Sequence, residues 1–337
     1  IELGFKYLSM DRTEIETKAL NNSLTHLKIA AEDGLADIQL FLGNLYEEGS
    51  KVPKDLSIAR QYFLAAQKNG KESAIFRLFK IDVELGIPGS KFYLAVAYDK
   101  GEVVARDPDL AIRWFEDFIE DELLEEWSDE QRIATIRLLQ LKTNKGDISA
   151  MMELANMYRT GNEHLEKNLK YAAELYEQAL NKGEESAEIP FLQLSASLGN
   201  NDSKYQLALY LREGGKISKD SKKAIEYLKE LEAVGYKVSA FILYHILADQ
   251  GFPEYQYKLG NLFFYGTGTQ IDIEKAIELF KESAEAGFFD AQLLLAKNFE
   301  TGGIIERDYE QAFKYYFSAA KDENGKKAAL AKLKVAQ

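Results

Sequence analysis

An all-α fold, an α/α superhelix of stacked helix pairs with extra helices inserted in most repeats, is what this sequence predicts, and three regularities predict it. Six copies of one spaced pattern, each anchored on a Leu followed by Gly or Ala, recur along the 337 residues. A Gly stands six residues after each of these small residues. Six residues beyond that Gly, seven in the third copy, stands Asp or Asn. A fixed recurrence of this kind governs the reading of every local motif, because each unit alone is too small to bury its apolar face.

The first helix of each unit is set by the small residues Gly43, Ala95, Ala155, Ala208, Gly260 and Ala296, preceded by Leu42, Leu94, Leu154, Leu207, Leu259 and Leu295. Three residues later come Tyr46, Tyr98, Tyr158, Leu211, Phe263 and Phe299. Offsets of minus one, zero and plus three share one helical face, so each first helix carries an apolar stripe with a small residue where another helix approaches closely. Gly49, Gly101, Gly161, Gly214, Gly266 and Gly302 then end these helices as left-handed C-terminal caps.

The second helix of each unit begins at Asp55, Asp107, Asn168, Asp220, Asp272 or Asp308, all residue types that cap helix N-termini. Pro108, directly after Asp107, suits a first helical position. Four residues after each cap comes Ala: Ala59, Ala111, Ala172, Ala224, Ala276 and Ala312. The run Gly266-Thr267-Gly268 is therefore a bend between two helices. A phosphate-binding loop would need a preceding strand and a Gly-Lys-Ser/Thr ending, and neither is present.

The Gly-to-Gly steps of 52, 60, 53, 52 and 36 residues leave extra chain after most second helices. Three of these inserts share a form, Gly70-Ala74 to Gly86, Gly183-Ala187 to Gly199, and Gly235-Ser239 to Gly251, and are expected to be third helices. The longest step holds the acidic run 116–131, expected to be a solvated helix end or loop. No Pro/Gly/Ser-rich linker breaks the chain, so residues 1–337 are expected to form one continuous array. Its parts are a half repeat at 10–34, repeats at 35–73, 87–121, 147–185, 200–237, 252–289 and 290–325, and a C-terminal cap at 326–337.

These residues resemble the Sel1-like repeat, a relative of the tetratricopeptide repeat, most clearly in "LGNLYEEGSKVPKDLSIARQYFLAAQKNG" (42–70) and "LGNLFFYGTGTQIDIEKAIELFKESAEAG" (259–287). The resemblance implies a non-catalytic scaffold or adaptor with a protein or peptide partner on its concave face, in bacteria often exported or periplasmic and serving a secretion or envelope assembly. A second function, resting on the aromatic residues of the first helices, is direct binding of a polysaccharide or cell-wall glycan, with exopolysaccharide export as the setting that the resemblance implies.

Bulk properties narrow the choices. A net charge of -13 argues against a nucleic-acid partner, which would require clustered Lys and Arg, and favours a basic or amphiphilic one. The absence of Cys removes disulfides, thiolate metal sites and a Cys nucleophile. The longest strongly apolar stretch, 239–248, is half of the ~20 residues needed to cross a bilayer, so no transmembrane segment is expected. The three histidines, His26, His164 and His245, lie far apart without metal-ligand spacing, so no catalytic residue, metal or cofactor is expected.

The remaining candidates lie on the first helices. One residue after each small residue stand Asn44, Val96, Asn156, Leu209, Asn261 and Lys297, and an Asn amide can both donate to and accept from a bound peptide backbone. Three residues before it stand Leu40, Phe92, Met152, Tyr205, Tyr257 and Leu293; four after it stand Glu47, Asp99, Arg159, Arg212, Phe264 and Glu300. The predicted binding set is Asn44, Glu47, Asn156, Arg159, Tyr205, Arg212, Tyr257, Asn261 and Phe264. In that set Arg159 and Arg212 meet acidic groups and the aromatic residues give apolar contact.

Overall fold

The structure, a computed structural model, describes residues 16–120 and 128–321. Among them are seventeen α-helices, one short 3₁₀ turn and no strand. No described helix is long and apolar enough to cross a membrane. The chain falls into two compact units, Ile1–Glu184 and Glu185–Gln337.

The first unit contains α1 (Glu16–Glu32), α2 (Ala36–Glu48), α3 (Leu56–Lys68), α4 (Ser73–Glu84), α5 (Ser90–Lys100), α6 (Pro108–Ile119), α7 (Asp129–Asn144), α8 (Ile148–Thr160) and α9 (Leu169–Asn181). The second contains α10 (Glu188–Ser197), α11 (Asn201–Glu213), α12 (Ser221–Ala233), α13 (Lys237–Asp249), α14 (Pro253–Tyr265), α15 (Ile273–Glu285), α16 (Phe289–Thr301) and α17 (Tyr309–Ala319). The expected first helices are α2, α5, α8, α11, α14 and α16; the expected second helices are α3, α6, α9, α12, α15 and α17.

All six predicted caps work as capping residues. Asp55, Asn168, Asp220 and Asp272 accept from the backbone N–H three residues on, and Asp107 and Asp308 accept from two N–H groups each. Each cap also donates its own N–H back to the first helix: Asp55 to the Tyr46 carbonyl at 3.0 Å, Asp272 to Phe263 at 2.9 Å, Asp308 to Phe299 at 2.9 Å. That bond closes every pair in the same register, because it reaches the residue three past the small one in all six copies.

Two of the closing glycines differ from expectation. Gly161 and Gly214 have positive φ, but ψ of 162° and -166° places them outside the left-handed helical region, in a part of backbone space open to Gly alone. The extra residue of the 161–168 connection explains the first, and a second positive-φ Gly, Gly215, follows the other.

The small residues sit where the pairs touch. A Cβ on Gly43 would come within 2.6 Å of the Phe63 ring, and one on Gly260 within 2.7 Å of the Phe280 ring. Phe63, Phe115, Tyr176, Leu228, Phe280 and Tyr316, each four residues after its Ala, are buried against these first helices.

All three inserts with the shared Gly form are helical, as α4, α10 and α13. A fourth, α7, lies in the longest step and opens with a capping box between Ser128 and Gln131. Each packs into the core of its unit, as Ala74, Leu78 and Ile81 do beside Phe63, and Ala134, Leu138 and Leu141 beside Phe115. Of the acidic run, 121–127 lies outside the described residues, as does the expected cap at 326–337.

Candidate functional site

The first-helix rows are divided between the two units. In the first unit, Asn156 is held from three sides: its Oδ1 accepts from the Tyr176 hydroxyl at 2.7 Å and from Arg159 Nη2 at 3.0 Å, and its Nδ2 donates to the Met152 carbonyl at 3.0 Å. Burial raises the Tyr176 phenol above its usual range, against the nearby Arg159 charge, which keeps it a donor. In the first copy the equivalent second-helix residue is Phe63, and there the Oδ1 of Asn44 is buried without a hydrogen-bond partner. One hydroxyl thus decides whether an Asn of this row is satisfied inside the fold.

The acidic members of the next row meet the inserted helices. Glu47 accepts from Arg77 Nη1 of α4 at 3.1 Å. Asp99, whose side chain is only 3% exposed, accepts from Arg137 Nε of α7 at 2.9 Å and has Arg106 Nη2 at 4.0 Å. A third pair, Arg60 to Asp82 at 2.6 Å, joins α3 to α4. Glu47 is therefore engaged by a helix of its own chain, and Arg159 by Asn156.

The second unit presents a different face. Tyr205 is half-buried with its ring centroid 5.8 Å from that of Tyr236, whose hydroxyl donates to Asp202 and is thereby pushed up to about 12. Tyr257 packs on Phe280 and Phe288, with ring centroids at 5.6 and 5.4 Å. Phe264 lies edge-on to Tyr265 at 4.9 Å and against Phe280 at 6.5 Å. Asn261 and Leu209 are half-buried between these rows. Arg212 bonds Glu213, its neighbour on the same helix, at 2.6 Å.

A further row holds structural polarity that the sequence reading did not single out. Four residues before the small residue, Gln39 donates to the Ala31 carbonyl at 2.7 Å and Gln292 to the Ala284 carbonyl at 2.9 Å. These amides tie a first helix to the end of the preceding second helix. The recurrence of Gln39, Gln256 and Gln292 at one offset was the available signal.

Among the described residues, one group brings a histidine to carboxylates. His164 Nε2 lies 3.1 Å from Asp129 Oδ1 and 3.5 Å from Glu163 Oε1. Arg132 also pairs with Glu163, so a cation there would compete with a guanidinium already in place. His164 is thus engaged within the first unit, and His245 is bonded to Asp249 at 3.0 Å on its own helix.

With this geometry in place, the sequence can be compared with known proteins. A model described as the Sel1 repeat matches residues 36–70, 88–116, 148–184, 201–231, 253–288 and 289–324. No match to a curated protein was found. Among solved structures, the chain is similar to a protective antigen of uropathogenic Escherichia coli strains displaying an SLR fold. That match has 22% identity and a TM-score of 0.27, covering 99% of this chain and 86% of that one. It is also similar to a Sel1 repeat protein from Oxalobacter formigenes, at 22% identity and a TM-score of 0.25, covering 100% and 86%. A third similarity, to the P58(IPK) TPR domain, has 15% identity and a TM-score of 0.22, covering 90% and 97%. Superpositions this loose carry no argument about ligands or partners.

Proposed function

Because the chain belongs to the Sel1 repeat family, whose repeats generally mediate protein–protein interaction and are typically non-catalytic, we propose that it is a non-catalytic scaffold that holds an extended, amphiphilic protein segment on the first-helix face of its second unit. One observation carries this reading. Tyr205, Leu209, Tyr257, Asn261 and Phe264 are all half-buried on α11 and α14, packed firmly enough to be ordered yet still reaching solvent, and Arg212 beside them is tied only to Glu213 of its own helix. Apolar side chains of a partner segment would meet Tyr257 and Phe264, the Asn261 amide would bond its backbone, and Arg212 would receive a carboxylate.

The first unit supplies less free polarity. Glu47 is taken by Arg77, and the Asn156 carbonyl oxygen by Tyr176 and Arg159. Arg159 is the secondary anchor there, with the exposed Asn156 and the half-buried Asn44 in the neighbouring row.

A protein segment suits this face better than a glycan. Sugar rings stack on flat, open aromatic faces, whereas Tyr205, Tyr257 and Phe264 lean at 46 to 53° on Tyr236, Phe280 and Phe288 and offer edges and partial faces.

The test is selection of random peptides on the intact protein. Enriched sequences are expected to combine apolar residues with Asp or Glu, and Arg212→Glu should weaken them about tenfold or more, with a smaller loss from Arg159→Glu. Enriched peptides that bind Arg212→Glu and Arg159→Glu as well as the parent would refute the assignment.

A further inference from the structure

Each helix of the second unit packs on the next, and hydrogen bonds between them show that neighbours run antiparallel. Lys204 at the start of α11 pairs with Glu230 near the end of α12 at 2.7 Å, and Gln256 at the start of α14 donates to Glu282 near the end of α15 at 3.0 Å. The connections after α12, α14 and α16 therefore share one edge of the unit. In agreement, the Tyr236 hydroxyl after α12 donates to Asp202 at the start of α11. Along this edge Val234, Val238, Tyr265, Ile271 and Tyr309 are 66%, 56%, 69%, 66% and 64% exposed.

Comparison between repeats shows that the fold does not require apolar residues there. Val234 stands where the matching inserts have Asn69 and Lys182, and Val238 where they have Ser73 and Ser186. Tyr265 precedes its closing Gly where the other copies have Glu48, Lys100, Thr160, Glu213 and Thr301. Ile271 precedes its cap where all five others carry a cation: Lys54, Arg106, Lys167, Lys219 and Arg307. The stem of that residue rests on the closing Gly, since a Cβ on Gly49 would meet the Lys54 Cβ at 2.7 Å and one on Gly101 the Arg106 Cβ at 2.8 Å, while a cation's head stays in water. Ile271 keeps the contact, with its Cγ1 2.7 Å from a Cβ on Gly266, and adds only exposed apolar surface. Four such exchanges on one edge mark it for contact with another molecule.

The charges around these residues choose the occupant. Asp272 and Glu274 flank Ile271 against Lys275, whose Nζ lies 4.6 Å from the Phe263 ring. Glu306, Asp308 and Glu310 flank Tyr309 against Arg307. A second copy of the chain would bring the same acidic edge against it, and the negative surface of an anionic membrane would repel it. An apolar surface bordered by Lys and Arg is the complement.

We propose that this edge docks an amphipathic helix of a partner protein, with Leu, Ile or aromatic residues on one side flanked by Lys or Arg. Packed helices stand about 8–10 Å apart, so the edge from Val234 to Tyr309 is about 20 Å long or more. A helix of about 14 residues or more covers it. Such a helix is marginal by itself in water, so it comes folded within its protein or forms on contact. This occupant differs in charge and conformation from the extended segment assigned to Arg212, and the two assignments stand or fall separately.

A synthetic amphipathic peptide of about 18 residues, with Leu on one face and Lys on the other, tests the proposal on the full chain. It is expected to bind and become helical, with the same peptide carrying Glu for Lys binding more weakly. Combining Val234→Asn, Val238→Ser, Tyr265→Thr and Ile271→Lys installs residue types that matching positions already carry, and should weaken the Leu/Lys peptide about tenfold or more. Arg212→Glu should leave it unchanged. Urea unfolding checks the combined variant, and Ile271→Lys alone, which preserves the stem contact with Gly266, should show a smaller loss in the same direction. No binding of the Leu/Lys peptide, equal binding by parent and combined variant, equal binding of the Leu/Glu peptide, or an equal loss in Arg212→Glu would each overturn the proposal. So would a dimer in sedimentation, or pelleting with phosphatidylcholine vesicles, that the combined variant abolishes.

Discussion

Phe280→Ala is expected to destabilise the second unit by about 3–5 kcal/mol, the range for emptying a fully buried aromatic site. The ring is 1% exposed and fills the gap left by Gly260, whose missing Cβ would otherwise lie 2.7 Å from it. It also supports Tyr257 and Phe264 from below, at centroid distances of 5.6 and 6.5 Å. Stability and peptide binding should therefore fall together in this variant, unlike in Arg212→Glu, where binding falls alone. Urea unfolding gives the first quantity. Hydrogen exchange gives its extent, and because each repeat contacts only its neighbours the lost protection should centre on α14 to α16. A loss below about 1 kcal/mol would mean that the pair does not depend on this contact.

Arg137→Ala ranks next, at about 3 kcal/mol, because it strips the paired guanidinium from a carboxylate that is 3% exposed. Arg106, at 4.0 Å from the other oxygen, replaces part of the interaction and keeps the cost at the low end. Adding Asp99→Asn to the first change removes the stranded charge and should restore part of the stability. A double-mutant cycle measures that recovery. Purely additive losses would show that α7 is not clamped to α5 through this pair.

The reasons why some features were legible in the sequence and others were not are physical. Helix pairs could be read because they depend on local rules: a capping side chain acts within three residues, and a closing Gly ends a helix by its own backbone freedom. Asp55, Asp272 and Gly266 thus announce their roles by type and spacing. The third helices with the Gly-x3-small form were legible for the same reason. Helix α7 lacks that form, and the sign that could have found it is Ser128-x-x-Gln131.

Pairings between helices are another matter. Glu47 with Arg77 and Asp99 with Arg137 join residues 30 and 38 apart, and no local rule links them. The same limit applied to Asn44 and Asn156, which look equivalent along the chain. Their difference comes from Phe63 and Tyr176 on the facing helix, where a single hydroxyl separates an orphaned amide from a satisfied one. Rows on one helix can be listed from periodicity, but which members stay free for a partner is decided by what the neighbouring helix brings.

Site-specific photo-crosslinking tests the binding face most directly. A photoreactive residue at Leu209 or Asn261, on the first-helix face, is compared with one at Lys229 or Lys281, exposed on the second helices α12 and α15. A bound selected peptide should crosslink from Leu209 and Asn261 and not from the two lysine positions. Crosslinking from Lys229 or Lys281, with none from Leu209 and Asn261, would contradict it.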